Sequence, residues 1–154
     1  MTSLNNDISN DLFKRWSPVI YFNKNEEYFP CSIEWLLNQS ELVEKKNVIN
    51  SSPTNLDLYN IAQKYDFINM TEDLVLNFKT SPTGTIDTIH KGQKDDLKDV
   101  PIYAYSRKST TNDNILLTYM QIFGYNGTYS ILHLVNAGHH DFDLEHLTVE
   151  LSPD

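Results

Sequence analysis

After Thr71 the sequence loses helical spacing, and five runs rich in aliphatic and aromatic residues follow one another: LVLNF, PIYAYS, NILLTYMQIF, TYSILHLV and EHLTVEL. Turn-forming clusters, SPTGT, TNDN and YNGT, separate them. Strands joined by short turns favour an antiparallel β-sandwich over a parallel sheet covered by helices, and this mainly β class is the expectation for the chain, with an α+β arrangement the alternative. In the last run Leu147, Val149 and Leu151 alternate with His146, Thr148 and Glu150, the period-two pattern of a half-buried strand.

The N-terminal half carries the helices. Ile8, Leu12, Phe13 and Trp16 recur at helical spacing until Pro18, whose ring drives the preceding residue towards an extended conformation. Val19 to Phe22 reads as a buried strand closed by the polar turn from Asn23 to Glu27. Ser32 can cap a brief helix bearing Ile33, Trp35, Leu36 and Leu37. Residues 38 to 55, with ELVEKK and NSSPTN, look like a surface connection with one helical turn. A second amphipathic helix is expected from Asn55 to Lys64, where Leu58, Ile61 and Ala62 recur every three or four residues. The short peripheral helices thus precede the strands, and 154 residues with 40% hydrophobic content can close one core, so residues 1–154 are expected to form a single domain.

Charge narrows the partners. The formal net charge is -9, and no Lys or Arg follows Lys108, whereas Asp113, Asp141, Asp143, Glu145, Glu150 and Asp154 do. Nucleic-acid binding draws on clustered cations to release counterions, so it is not expected. An anionic membrane surface is disfavoured unless a cation bridges the two charges. Cys31 is the only cysteine, so no intrachain disulfide can form. The start MTSLNNDISND has neither the basic nor the apolar region of a signal peptide, and no apolar run approaches the ~20 residues of a transmembrane helix. A soluble intracellular protein is the expectation, and the Asn-X-Ser/Thr matches at Asn38, Asn69 and Asn126 then follow from an Asn-rich composition.

Four segments, in order, resemble the vacuolar protein sorting-associated protein 62 family, also described in plants as a domain of unknown function. They are RWSPVIYFNKNEEYFPCSIEWLL from Arg15, HKGQKDDLKDVPIYAYSRK from His90, TYMQIFGYNGTYS from Thr118, and GHHDFDLEHLTVEL from Gly138. The last is similar to a family strand with Gly-Asp-His-Val-Gly-Asp-Trp-Glu-His-Val-Thr-Val; here His139 replaces the Asp, Phe142 the second Gly and Leu144 the Trp. Its His-x-x-Asp-x-Glu core also resembles a motif of the necrosis- and ethylene-inducing peptide-like toxins, β-sandwiches with a divalent cation beside it. That second likeness rests on one motif, and Phe142 stands where the toxins have a second His. The family resemblance implies a vacuolar or endomembrane association. Family members continue beyond this point with further strands, so the chain reads as a minimal or truncated version of a longer domain.

The motif implies a metal site at His140, Asp143 and Glu145. Asp143 and Glu145 point to one face of an extended strand, where a hard cation such as calcium or magnesium could take oxygen from both, with His140 orienting a carboxylate or bound water. Involvement of His139, His146 or His133 would shift the preference towards zinc or manganese. Asp141 is either a further ligand or a solvated turn residue. Against the metal site stands a structural reading of equal weight, in which these carboxylates cap turns and His140 ties down a loop.

Cys31 is a nucleophile only with a His beside it, and otherwise a packed small residue; the family tends to have Ser there. The segment IFGYNGT from Ile122 is a turn by composition, and Tyr125 and Asn126 line the rim beside the acidic segment if the two final long strands are neighbours. No phosphate-binding glycine loop, Gly-x-Ser-x-Gly elbow or His-Glu-x-x-His helix occurs. Three functions follow: a cation-binding module recognising a polar headgroup, glycan or protein partner; a metal-dependent hydrolase in which His140 moves a proton; and a structural domain without ligand.

Overall fold

The computed structural model describes residues 6–64, 74–79, 89–127, 129–131, 135–137 and 140–153. Elements follow in the order α1 (Asn6–Arg15), β1 (Pro30–Cys31), α2 (Ile33–Asn38), β2 (Ser40–Glu44), β3 (Asn47–Asn50), α3 (Asn55–Lys64), β4 (Leu74–Phe78), a 3-10 segment (Lys94–Asp99), β5 (Tyr103–Lys108), β6 (Ile115–Tyr125), β7 (Tyr129–Ile131), β8 (Val135–Ala137) and β9 (Asp141–Leu151). All the strand pairings among them are antiparallel, and the fold is mainly β with short helices, the class read from the sequence.

β6 organises the largest sheet. One of its edges pairs with β9 along its whole length, from Ile115 opposite Leu151 to Tyr125 opposite Asp141. The other edge is shared, with β5 covering Ile115 to Met120 and the two-residue β1 covering Ile122 and Phe123. A second sheet has the order β3-β2-β4, and β7 and β8 form a small hairpin. The core lies where Phe78 of the second sheet meets Cys31, Leu36 and Ile89, with Trp35, Ile122 and Phe142 packed around them. The opposite face of β6 is covered near its start by α1, where Phe13 meets the Tyr119 ring edge-on and its carbonyl accepts the Tyr119 hydroxyl at 3.0 Å.

The helices form for the reasons visible in the sequence. Ser32 caps α2, its hydroxyl accepting from the Trp35 N–H at 3.1 Å. α3 spans the expected residues and opens on a capping box: the Thr54 hydroxyl accepts from the Asp57 N–H, while the Asp57 carboxylate accepts from the Thr54 N–H at 2.8 Å.

Four local expectations are corrected. Val19 to Phe22 is not a buried strand: it pairs with no strand among the described residues, and Val19 and Tyr21 are the most exposed large hydrophobics there. Residues 40–50 are a β-hairpin rather than a connection with a helical turn, because Lys45 and Lys46 both adopt positive φ (49° and 69°) and make the tight two-residue turn that Asn-Gly usually makes. β6 runs on through Tyr125, so the turn read from Ile122 starts only at Asn126. The run TYSILHLV is not one strand, since Ile131 pairs back onto Val135. The turn SPTGT, Asn69, His133 and His139 lie outside the described residues.

Candidate functional site

The His/Asp/Glu motif sits where β9 begins, beside the end of β6. Phe123 faces Asp143 and Gln121 faces Glu145 across the ladder, and because directly opposed residues share a face, all four project to the side away from the Phe78 core. The segment after Pro18, apolar up to Phe22 and polar from Asn23 to Glu27, passes over this side. Asp143 and Glu145, together with Glu26, Tyr28, Tyr125 and Asn126, line a cleft of about 220 Å³. Phe22 and Phe123 complete its wall. The expectation that Asp143 and Glu145 share a face, with Tyr125 and Asn126 beside them, therefore holds. Glu26 was missed: it lies in a turn more than a hundred residues away, where its carboxylate also accepts from the N–H groups of Glu27 and Tyr28 at 3.1 Å.

His140 contributes differently. Its Nε2 lies 3.0 Å from the Asn126 side-chain nitrogen and its Nδ1 lies 3.2 Å from the Phe142 carbonyl oxygen. The pattern suits one neutral tautomer, with Nε2 accepting from the Asn126 amide and Nδ1–H donating to the carbonyl. The Asn126 N–H in turn donates to the His140 carbonyl at 3.1 Å. His140 thus fastens the Asn126 wall, and both its ring nitrogens are engaged. Among the described residues, no three or more His, Cys, Asp or Glu side chains converge closely enough to hold a metal ion.

Asp141 turns to another partner. Its Oδ1 lies 2.9 Å from His90 Nε2, and the His90 ring stacks on Tyr125 with centroids 4.0 Å apart and planes 8° from parallel. His90 was also missed, and its neighbours explain its placement. Gly92 has φ +66°, and a Cβ there would lie 1.9 Å from the Phe29 carbonyl oxygen, so only glycine lets this segment press against β1. Hydrogen bonds from Phe29 N–H to the Lys91 carbonyl (3.2 Å) and from Gln93 N–H to the Pro30 carbonyl (3.3 Å) complete the clamp.

Cys31 is fully buried in the core, and burial pushes its thiol up to about 12. It is the packed small residue of the two readings, since a neutral thiol is a poor nucleophile. His146 points to the other face of β9 from Glu145, as read from the sequence, and is among the residues at the border of a neighbouring, more apolar cleft.

The family model described as vacuolar protein sorting-associated protein 62 matches residues 2–153. The chain belongs to that family. No curated protein and no solved structure matches it. Phe142 has φ +60°, a left-handed conformation that glycine adopts without strain and that a bulky side chain rarely adopts. What compensates is packing, because the Phe142 ring lies 4.5 Å from the Phe78 ring. Beside it, a Cβ on Gly124 would press on the Ile89 carbonyl oxygen at 3.0 Å, so the chain at Ile89 approaches β6 closely there. Among the described residues, no helix is long and apolar enough to cross a membrane.

Proposed function

We propose that this member of the vacuolar protein sorting-associated protein 62 family is a non-enzymatic binding module whose ligand carries a positively charged polar headgroup, held in the cleft between the Glu26 turn and the β6–β9 ladder. The observation that carries this reading is the lining itself: three carboxylates, from Glu26, Asp143 and Glu145, gathered with four aromatic residues in one cleft. Carboxylates give an organic cation its counter-charge, and aromatic rings attract it through their quadrupoles. Neither contribution suits a phosphate or carboxylate ligand.

A divalent cation is the second reading, favoured by Asp143 and Glu145 sharing one strand face. It would be calcium or magnesium, with both carboxylates as ligands and waters filling the remaining positions. His140 then acts as a positioning residue through Asn126.

Thermal stabilisation separates the readings, because a ligand that binds only the folded state raises the melting temperature by mass action. Tetramethylammonium is expected to stabilise the protein saturably, and the Asp143→Asn/Glu145→Gln variant is expected to lose that response while melting close to the parent. Stabilisation by calcium or magnesium but not by the ammonium ion would select the second reading. If no cation stabilises the protein, or if the variant responds as the parent does, the cleft is not the binding site.

A further inference from the structure

A second cleft adjoins the acidic one. It has a volume of about 360 Å³, and Glu145 lines both. Its walls include Val19, Ile20, Ile102, Tyr119, Leu147 and the aromatic Tyr21. The two clefts are consecutive stretches of one surface: Tyr119 and Gln121 line the first and Phe123 and Tyr125 the second, all on the same face of β6. One chain segment crosses both, with Pro18 to Tyr21 over the apolar part and Phe22, Glu26 and Tyr28 over the acidic part. From Tyr119 to Tyr125 a strand advances roughly 20 Å.

We infer that the two clefts form one groove for a single-chain amphiphile, with a cationic head at Glu26, Asp143 and Glu145 and an aliphatic tail along Ile20, Ile102 and Leu147. The inference rests on the cationic-headgroup reading of the acidic cleft. It also accounts for the exposure of aliphatic residues the sequence pattern would bury: Val19 is 75% exposed, Leu147 50%, Ile20 39% and Ile102 38%. Charge selects the head, because no Lys or Arg lines either cleft among the described residues. The apolar half selects the tail. A polypeptide laid in the apolar half would bring N–H and C=O groups against aliphatic side chains, and each such group needs a partner. A hydrocarbon chain has no such groups.

The test is a titration of the protein with n-alkylamines from butylamine to decylamine below their aggregation concentrations, with octanol and octanoate as uncharged and anionic controls. Each added methylene is expected to tighten binding about fourfold until the tail outruns the apolar half. Octylamine is expected to bind at least tenfold more tightly than octanol, and octanoate more weakly than either. In Ile102→Asn/Leu147→Asn, two partly exposed positions, the chain-length dependence is expected to flatten while the affinity for tetramethylammonium, which has no tail, stays the same. Butylamine binding with no gain from chain length would overturn the amphiphile inference and leave the headgroup reading standing. Octanol binding as tightly as octylamine would overturn the headgroup reading instead, and absence of binding by every amine would overturn both. A Lys-led peptide of alternating leucines that outcompetes decylamine would replace the amphiphile with a polypeptide.

Discussion

The two ends of the β6–β9 ladder use the same residue type for opposite purposes. At the end where β6 starts, Glu150 accepts hydrogen bonds from the side-chain amides of Asn114 at 2.7 Å and Asn112 at 3.2 Å, and so pins the 109–114 turn to the strand. At the other end Glu145 accepts no hydrogen bond among the described residues and faces a cleft instead, while Asp143 only accepts from the N–H of its neighbour Leu144 at 3.0 Å. The closed end spends its carboxylate on holding the fold. The open end presents carboxylates to a ligand, and its backbone is held by ring packing at Phe142. A row of acidic residues in a strand therefore says little about function until their partners are known.

The contrast can be broken most forcefully at Phe142. Phe142→Ala removes the ring that packs on Phe78 and keeps the left-handed backbone, so it is expected to cost about 2–3 kcal/mol in chemical denaturation, somewhat below the figure for a fully buried Phe. Phe142→Gly loses the same ring but releases the backbone strain. It is expected to be about 1 kcal/mol more stable than Phe142→Ala, the reverse of the usual order in a strand. If the alanine variant is the more stable of the two, the left-handed conformation does not constrain this position.

The next comparison pairs Asp143→Asn/Glu145→Gln with Glu150→Ala. The first is expected to weaken tetramethylammonium binding at least tenfold with little change in melting temperature. The second is expected to do the opposite, lowering the melting temperature slightly and leaving cation affinity unchanged. Equal loss of binding in both would show a diffuse effect of net charge rather than a site.

The smallest effect is in pH. Hydrogen bonds from Asn114 and then Asn112 hold the Glu150 carboxyl below its ordinary value. A carboxyl lowered by folding stabilises the fold above its unfolded pKa, and that contribution disappears as pH falls through the folded value. The melting curves of the parent and Glu150→Ala are therefore expected to differ at neutral pH and to converge below about pH 4. A difference that persisted in acid would mean that Glu150 acts through packing rather than charge.

Much of this was legible before the structure. The Ser32 cap and the bounds of α3 depend on residues within a few positions of one another, as does the period-two face shared by Asp143 and Glu145, and local pattern reports such features faithfully. The hairpin at Lys45 and Lys46 was hidden because its turn conformation is carried by residues that rarely adopt it. Val19 to Phe22 misled for a different reason. An aliphatic run usually signals a buried strand, but here it crosses a sheet face and forms the wall of a groove.

The sequence by itself determined the family, the mainly β class and the acidic strand that opens at Asp141, because each depends on residue type and spacing along the chain. Only the tertiary structure decided what those residues meet. It sends His140 to Asn126 and Asp141 to His90, and brings Glu26 to Asp143 and Glu145. His90 and Asp141, and Glu26 and the β9 carboxylates, are far apart in sequence, and their approach follows from the close fit of Gly92 against Phe29 and from the register that sets β9 against β6. A linear pattern carries no information about either until the chain has folded.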